Sequence, residues 1–70
     1  NKIEIESANW ITKPEFDKTY EARIRYQQKL EKCQIEGEFV IFENEQSLAT
    51  SGQSVVVYDG EECIGGGIIL

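Results

Sequence analysis

The sequence predicts an all-β fold, a small antiparallel β-barrel of about six short strands. Apolar and polar residues alternate with a period of two along several segments, as they do in half-buried strands. Turn signals recur at a spacing of roughly ten residues, and no segment shows the apolar period of a helix. With 70 residues, the chain is expected to form one domain (1–70) whose core is too small to surround a deep substrate cavity.

The N-terminal part of the chain contains one short alternating segment and a loop. Isoleucine and glutamate alternate over residues 3–6, which predicts a short strand. Residues 9–11, Asn-Trp-Ile, predict either an edge strand or a plug beneath the barrel. Residues 12–19, which include the Lys13-Pro14 pair, are expected to form a loop.

The middle of the chain predicts three strands. Residues 20–27 carry a strong strand signal, because apolar and polar residues alternate there without a break. The apolar face of this strand comprises Tyr20, Ala22, Ile24 and Tyr26. Residues 33–35 and 38–42 follow as two further strands, and the Glu36-Gly37 pair between them predicts a hairpin turn.

The C-terminal part predicts a strand, a tight turn and a final strand interrupted by glycines. Residues 55–58 are β-branched or aromatic, which favours a strand, and a turn at 50–53 precedes them. The Asp59-Gly60 pair predicts a hairpin. The glycines at 65–67 predict a bulge, a sharp bend or close approach of another backbone. They do not predict a phosphate loop, because an apolar strand follows them instead of a helix and no lysine is near.

The net charge is −6 and is unevenly distributed. All seven basic residues precede Cys33, so that residues 1–32 carry +1 and residues 33–70 carry −7. An acidic domain is a poor independent ligand for a phosphate backbone, because binding depends on cations that displace counterions. Any contact with an anion is therefore expected in the first half, while the acidity of the second half contributes to solubility.

The composition excludes several classes of active site. No histidine is present, which removes His-based triads, His general bases and His metal ligands. Cys33 and Cys63 are too few for a disulfide framework or a zinc site, and are expected to be small buried hydrophobes, bridged only if the strands bring them together. The serines have no base partner, and the paired acids show no metal-site pattern. No apolar run is long enough to cross a bilayer.

Arg23 and Arg25 are the most prominent candidates for an anion contact. On one strand face they would lie about 7 Å apart, and Lys18, Lys29 and Lys32 could extend this face. Such a cationic stripe would position an RNA backbone. Alternatively, the cations pair with carboxylates across the strands. The carboxylates considered for this pairing are Glu21, Glu31 and Glu38.

Four aromatic residues leave two interpretations open. They could stack on nucleic-acid bases, as aromatic residues do in oligonucleotide-binding barrels. In so small a domain, however, large aromatic residues are mostly needed for the core. The residues concerned are Trp10, Tyr20, Tyr26 and Tyr58.

Residues 47–69 resemble the C-terminal end of bacterial tRNA-specific 2-thiouridylases. That family typically has a Thr-Pro-Gly-Gln turn, and this chain has Thr-Ser-Gly-Gln at 50–53. An apolar strand then closes on Tyr-Asp-Gly, which is present here at 58–60. The family's Leu-Gly-Gly-Gly-Ile strand corresponds to Ile-Gly-Gly-Gly-Ile at 64–68.

Two upstream segments extend this resemblance over residues 9–69. Asn-Trp-Ile at 9–11 and Ile-Arg-Tyr-Gln-Gln at 24–28 are similar to the family's Asn-Trp and Arg-Tyr-Arg-Gln segments, in the same order. The chain departs from the family's usual residues at three positions. Ser51 stands in place of a proline, and Ser47 and Gln27 each stand in place of an arginine, which removes two potential cations.

The resemblance implies a C-terminal β-barrel of a larger enzyme, akin to the second domain of translation elongation factors. Such a barrel would help to hold tRNA against the catalytic domain of the same chain. The family's enzymes use ATP to adenylate the wobble uridine of certain tRNAs, and cysteines relay sulfur to carbon 2 of that base. The ATP-binding loop and the catalytic cysteines lie upstream in this family, and neither Cys33 nor Cys63 matches a catalytic position. No catalytic, cofactor or metal site is therefore expected in residues 1–70.

The resemblance further implies a parent enzyme that acts in the cytoplasm, not at a membrane, and receives sulfur from a donor protein. Under this hypothesis, the candidate RNA contacts are Arg23, Arg25, Lys18 and Lys29. It also predicts about three hundred further residues in the parent protein. Two alternatives remain, namely a free-standing acidic barrel that binds a basic protein and a small independent enzyme.

Overall fold

The computed structural model describes residues 2–24, 29–46 and 49–70, and it shows a closed β-barrel. Its six strands are β1 (Lys2–Trp10), β2 (Thr19–Arg23), β3 (Glu31–Glu36), β4 (Phe39–Phe42), β5 (Ser54–Asp59) and β6 (Glu62–Ile69). Around the barrel their order is β1-β4-β3-β2-β5-β6, and each neighbouring pair is antiparallel. The predicted all-β antiparallel barrel is confirmed. Among the described residues, no helix is long and apolar enough to cross a membrane.

This antiparallel order gives the barrel two different ends. The strands β1, β3 and β5 run in one direction, and β2, β4 and β6 run in the other. At the end where β1, β3 and β5 finish lie the β3–β4 and β5–β6 hairpins and residues 11–18, which connect β1 to β2. We call this the tight-turn end. The terminal end, opposite to it, holds the start of β1, the end of β6 and the β2–β3 and β4–β5 connections.

Side chains that point inward from all six strands form one apolar core. Tyr20 and Ala22 in β2 and Ile24 just after it are buried, as their alternation predicted, whereas Tyr26 lies outside the described residues. The buried hydrophobic residues are Ile5, Tyr20, Ala22, Ile24, Cys33, Ile35, Val40, Phe42, Val55, Val57, Ile64 and Ile69. Since successive residues of a strand face opposite sides, the residues between these positions form the outer wall.

The glycines of β6 allow the strands to approach one another closely. A Cβ atom at Gly66 would collide with the carbonyl oxygen of Val55, and one at Gly65 would collide with the carbonyl oxygen of Asn9. Gly65 also has a φ of +142°, which side-chain-bearing residues rarely adopt. The predicted bulge and close backbone approach are therefore both confirmed, since the β5–β6 register shifts beside Tyr58.

Strand β1 is longer than the sequence predicted, because it continues to Trp10. Its register with β6 shifts between Glu6 and Asn9, and Ser7 has a φ of +53°. This irregularity breaks the alternation of inward and outward side chains, so the pattern stops at Glu6 although the strand does not. The pairing of β1 with β4 covers only Lys2–Glu4, whereas Asn9 and Trp10 pair only with β6, so this part of β1 is paired on one side, as the edge-strand interpretation of residues 9–11 predicted.

The two cysteines lie in different environments, and both are free thiols. Cys33 is buried in the core, as predicted, but Cys63 is exposed, and the expectation of a buried side chain was wrong there. Ile64 points into the core, so the alternation of β6 turns Cys63 outward. Burial is the main cause that raises the pKa of the Cys33 thiol to about 12, with smaller contributions from Glu21 and Glu43.

Candidate nucleic-acid interface

Arg23 is the last residue of β2 and lies on the outer wall of the barrel. Because β2 pairs with β5, its side chain reaches Tyr58 on the neighbouring strand. The Arg23 Nη2 atom donates a hydrogen bond to Tyr58 Oη at 3.2 Å, and the guanidinium carbon lies 5.5 Å from the centre of the tyrosine ring. Both side chains are half-buried. The ring and the hydroxyl therefore restrict where the guanidinium can lie.

Lys18 precedes β2 and lies at the tight-turn end. Its Nζ atom donates a hydrogen bond to Asp59 Oδ2 at 2.9 Å and lies 3.8 Å from Glu15 Oε2. The hydrogen bond to Asp59 is the main cause that raises the pKa of Lys18. Lys18 is five residues before Arg23, which in a strand corresponds to about 17 Å. The two backbone positions are therefore far apart, although the side chains reach consecutive residues of β5, Asp59 and Tyr58.

Apart from Lys13, which lies in the same connection as Lys18, the other described cations lie toward the terminal end. Lys29 is exposed in the connection that leads into β3, and Lys32 is exposed opposite Glu21 on β2. Lys2, at the start of β1, places its Nζ atom 4.4 Å from the centre of the Phe39 ring. This end also carries Glu31, Glu43 and Glu45. Arg25 lies outside the described residues, so its predicted pairing with Arg23 on one strand face stays a prediction.

The tight-turn end is strongly acidic. Its connections and the strand termini beside them carry seven carboxylates but only two lysines, Lys13 and Lys18. The carboxylates are Glu15, Asp17, Glu36, Glu38, Asp59, Glu61 and Glu62. Such an end repels a phosphate backbone, because it offers few cations to exchange for condensed counterions. A nucleic-acid contact is therefore expected only at the terminal end.

The aromatic residues divide between the core and the outer wall. Tyr20 is only 4% exposed, and its hydroxyl accepts a hydrogen bond from the Glu15 backbone N–H at 2.8 Å, so its ring is not available for stacking. Trp10 is half-buried and packs against the core. Tyr58 lies beneath the Arg23 guanidinium. Tyr26 lies outside the described residues, and its role stays a prediction.

The described part of the chain contains no group of three or more metal-ligating side chains close enough to hold an ion. It also contains no buried side-chain nitrogen or oxygen atom that lacks a hydrogen-bond partner. Cys33 is protonated over the whole neutral range because of its raised pKa, so it is a poor nucleophile.

Comparison with known families agrees with this architecture. The profile of the aminomethyltransferase beta-barrel domain matches residues 1–69. The chain belongs to this barrel family. No solved structure gave a significant match to this chain.

Curated relatives of this aminomethyltransferase-type barrel are tRNA-specific 2-thiouridylases, named MnmA. The protein from Hydrogenovibrio crunogenus is 39% identical over 74 residues, which cover 96% of this chain and 20% of the relative. The Bordetella pertussis protein is 40% identical, with 99% of this chain and 20% of the relative covered. The Pseudomonas putida protein is 38% identical, with 99% of this chain and 17% of the relative covered. The chain thus spans about one fifth of the length of these relatives, and the resemblance recognised in its motifs is confirmed.

Sequence reasoning missed the contact between Arg23 and Tyr58. Both residues occupy outward positions of predicted strands, and this alternation was a usable signal for each of them separately. Their contact depends on the pairing of β2 with β5, which are separated along the chain by two other strands. Nothing in the period-two pattern specifies which non-consecutive strands become neighbours.

Proposed function

We propose that this chain is the tRNA-positioning barrel of a tRNA 2-thiouridylase. The observation that carries the proposal is the similarity of nearly the whole chain to proteins named tRNA-specific 2-thiouridylases. The complete enzyme would activate the wobble uridine with ATP and transfer sulfur to its C2 position. ATP, the sulfur-donor protein and the reaction itself belong, under this proposal, to the other four fifths of the enzyme. The free-standing interaction barrel is less well supported, because the relatives are enzymes that act on tRNA.

The barrel would contribute by holding the tRNA backbone in place. Arg23 is the best candidate for a phosphate contact, because Tyr58 restrains a guanidinium that can bind a phosphate with two hydrogen bonds. Lys29 and Arg25 are further candidates at or beyond the same strand end. The acidic tight-turn end would face away from the tRNA. Contacts of this kind orient a substrate and lower the entropic cost of reaction without taking part in the chemistry.

The proposal is tested by substituting Arg23→Gln in the full-length enzyme and measuring tRNA affinity over a range of salt concentrations. We expect a several-fold loss of affinity and a decrease of about 1 in the salt slope, because one phosphate contact is lost. The Michaelis constant for tRNA should rise while that for ATP stays unchanged. Tyr58→Phe, which removes only the hydroxyl that accepts the bond from Arg23, should have a smaller effect in the same direction.

Lys18→Gln is the matched control, because it removes the same charge at the tight-turn end. We expect it to leave tRNA affinity and the salt slope almost unchanged. The proposal for Arg23 would be rejected if both enzymes bound tRNA as the wild type does. Equal weakening by the two substitutions would also contradict it, since only net charge would then matter.

A further inference from the structure

An apolar groove opens at the tight-turn end of the barrel. Its volume is about 170 Å³, and it is lined by Trp10, Lys13, Pro14, Phe16, Ile35 and Gly37. Phe16 is 77% exposed, and Ile11, which follows Trp10, is 78% exposed. These two residues are the most exposed large hydrophobic residues in the described part of the chain. Both lie in the connection between β1 and β2, where Phe16 lines the groove and Ile11 directly follows the lining residue Trp10.

The connection that carries these residues is held in place by hydrogen bonds. The Ile11 and Thr12 N–H groups donate to the Ile64 carbonyl at 2.8 and 3.3 Å. Further along, the Glu15 N–H donates to Tyr20 Oη, and Lys18 is bonded to Asp59 on β5. The backbone that carries the apolar side chains is therefore held at several points before any partner arrives. A surface ordered in advance loses less conformational entropy on association.

The charges around the groove restrict what can occupy it. Exposed carboxylates flank its lining residues along the chain, with Glu15 and Asp17 on either side of Phe16. Glu36 and Glu38 likewise flank Gly37. An RNA backbone would meet an excess of negative charge here. A protein surface with an apolar centre and a basic rim would be complementary in both hydrophobicity and charge.

We propose that this groove docks onto a basic surface with an apolar centre, located in the remaining part of the full-length enzyme. The inference rests on the proposed function for the existence of that longer chain. The relatives have about four fifths of their length outside the part that this barrel matches. An enzyme that binds tRNA needs basic surfaces, and these attract the acidic tight-turn end as well as phosphates. Docking at this end leaves the terminal end of the barrel, where β2 finishes at Arg23, on the side opposite to the protein interface.

Hydroxyl-radical footprinting of the full-length enzyme, without tRNA, tests the docking directly. We expect Phe16 and Ile11 to be oxidised several-fold more slowly than their exposures in the barrel predict, after correction for intrinsic reactivity. Oxidation at the rate of fully exposed side chains would overturn the proposal. Protection that appears only after tRNA is added, or only as enzyme concentration rises, would also overturn it. Those results would identify RNA or a second copy of the chain as the occupant.

Substitutions separate a docking contact from a general change in the surface. Phe16→Ser should increase oxidation of Ile11 several-fold and raise the radius of gyration of the enzyme in solution. Leu70→Ser, which changes an exposed apolar residue at the terminal end, should do neither. If the two substitutions had equal effects, the groove would not be the docking contact.

Charge reversal provides a second, independent comparison. Glu36→Lys, beside the groove, should increase Phe16 oxidation, whereas Glu45→Lys, an exposed carboxylate at the terminal end, should not. Equal effects of the two substitutions on Phe16 oxidation would contradict the proposed charge complementarity between the groove and its partner surface. Because these measurements contain no tRNA, their outcome is independent of the Arg23→Gln test. If Arg23→Gln left tRNA affinity unchanged while Phe16 stayed protected, the proposed function would be contradicted and the docking would not.

Discussion

The two cysteines show that a thiol has different chemistry in the core of the barrel and on its outer wall. Cys33 is surrounded by core residues, and desolvation raises the pKa of its thiol to about 12. Cys63 lies on the outer face of β6 and is reached by solvent. The same residue type is therefore a small hydrophobe in one strand and a surface thiol in another.

This difference predicts distinct reactivity toward a thiol reagent. In the native protein, Cys63 should be modified at once, while Cys33 should be modified only as fast as the barrel opens. Cys63→Ser should remove the fast phase and leave the slow one. Rapid modification of Cys33 in that variant, under conditions where the barrel is folded, would contradict its burial in the core.

Titration of Cys33 also predicts a loss of stability in alkali. The folded-state pKa of about 12 exceeds the ordinary value of 9.0, so the unfolded chain loses this proton first as the pH rises. The contribution of the protonated Cys33 thiol to the free energy of unfolding is present in full below pH 9 and is lost progressively above it. Denaturant unfolding at several pH values should therefore show a smaller decline for Cys33→Ala than for the wild type. Identical declines would contradict the assigned pKa.

At the level of the elements, the contacts of β6 with β5 and β1 depend on the absence of side chains at 65–67. A methyl group at Gly66 would collide with the Val55 carbonyl, and both groups belong to backbone that cannot move independently. The β1–β6 contact depends in the same way on Gly65. These glycines are needed because two strands approach there, and not because a ligand does.

The substitution Gly66→Ala should therefore be far more destabilising than an alanine placed at a turn glycine. We expect a loss of about 3 kcal/mol or more in unfolding free energy, because the collision involves main-chain atoms on both sides. Gly60→Ala is the control. Gly60 has a φ of +64° with no atom within 4 Å of an added Cβ, so its cost should be about 1 kcal/mol. Denaturant unfolding measures both, and equal losses would contradict the steric explanation.

Most strands could be predicted because their alternation is regular. The hairpins at Gly37 and Gly60 and the buried face of β2 follow from local pattern and turn chemistry. The second half of β1 could not be predicted in this way, because the irregularity around Ser7 places polar residues where alternation would require apolar ones. Local periodicity thus identifies a strand only where its register is uninterrupted.

Considered as a whole, the molecule is electrostatically polar along the barrel axis. The acidic excess collects at the tight-turn end, while most of the described cations lie toward the terminal end. The first half of the sequence has a net charge of +1 and the second half has −7, but these values do not predict which end of the barrel is acidic. Glu15 and Asp17 belong to the first half, yet they lie beside the β3–β4 and β5–β6 hairpins.

With a net charge of −6, the barrel by itself should bind tRNA weakly or not at all at physiological salt. A titration of the 70-residue chain with labelled tRNA tests this, with the full-length enzyme as the positive control. Tight binding that persists at high salt would show that the terminal end alone is a sufficient RNA-binding site.

The fold class, the strands with regular alternation, the turns and the family could all be read from the order of residues, since each depends on neighbours in the chain. The pairing of β2 with β5 could not, and neither could the Arg23–Tyr58 contact that depends on it or the grouping of carboxylates around an apolar groove. These features depend on which distant segments share an end or a wall of the closed barrel. Closure is a property of all six strands together, and no local pattern encodes it.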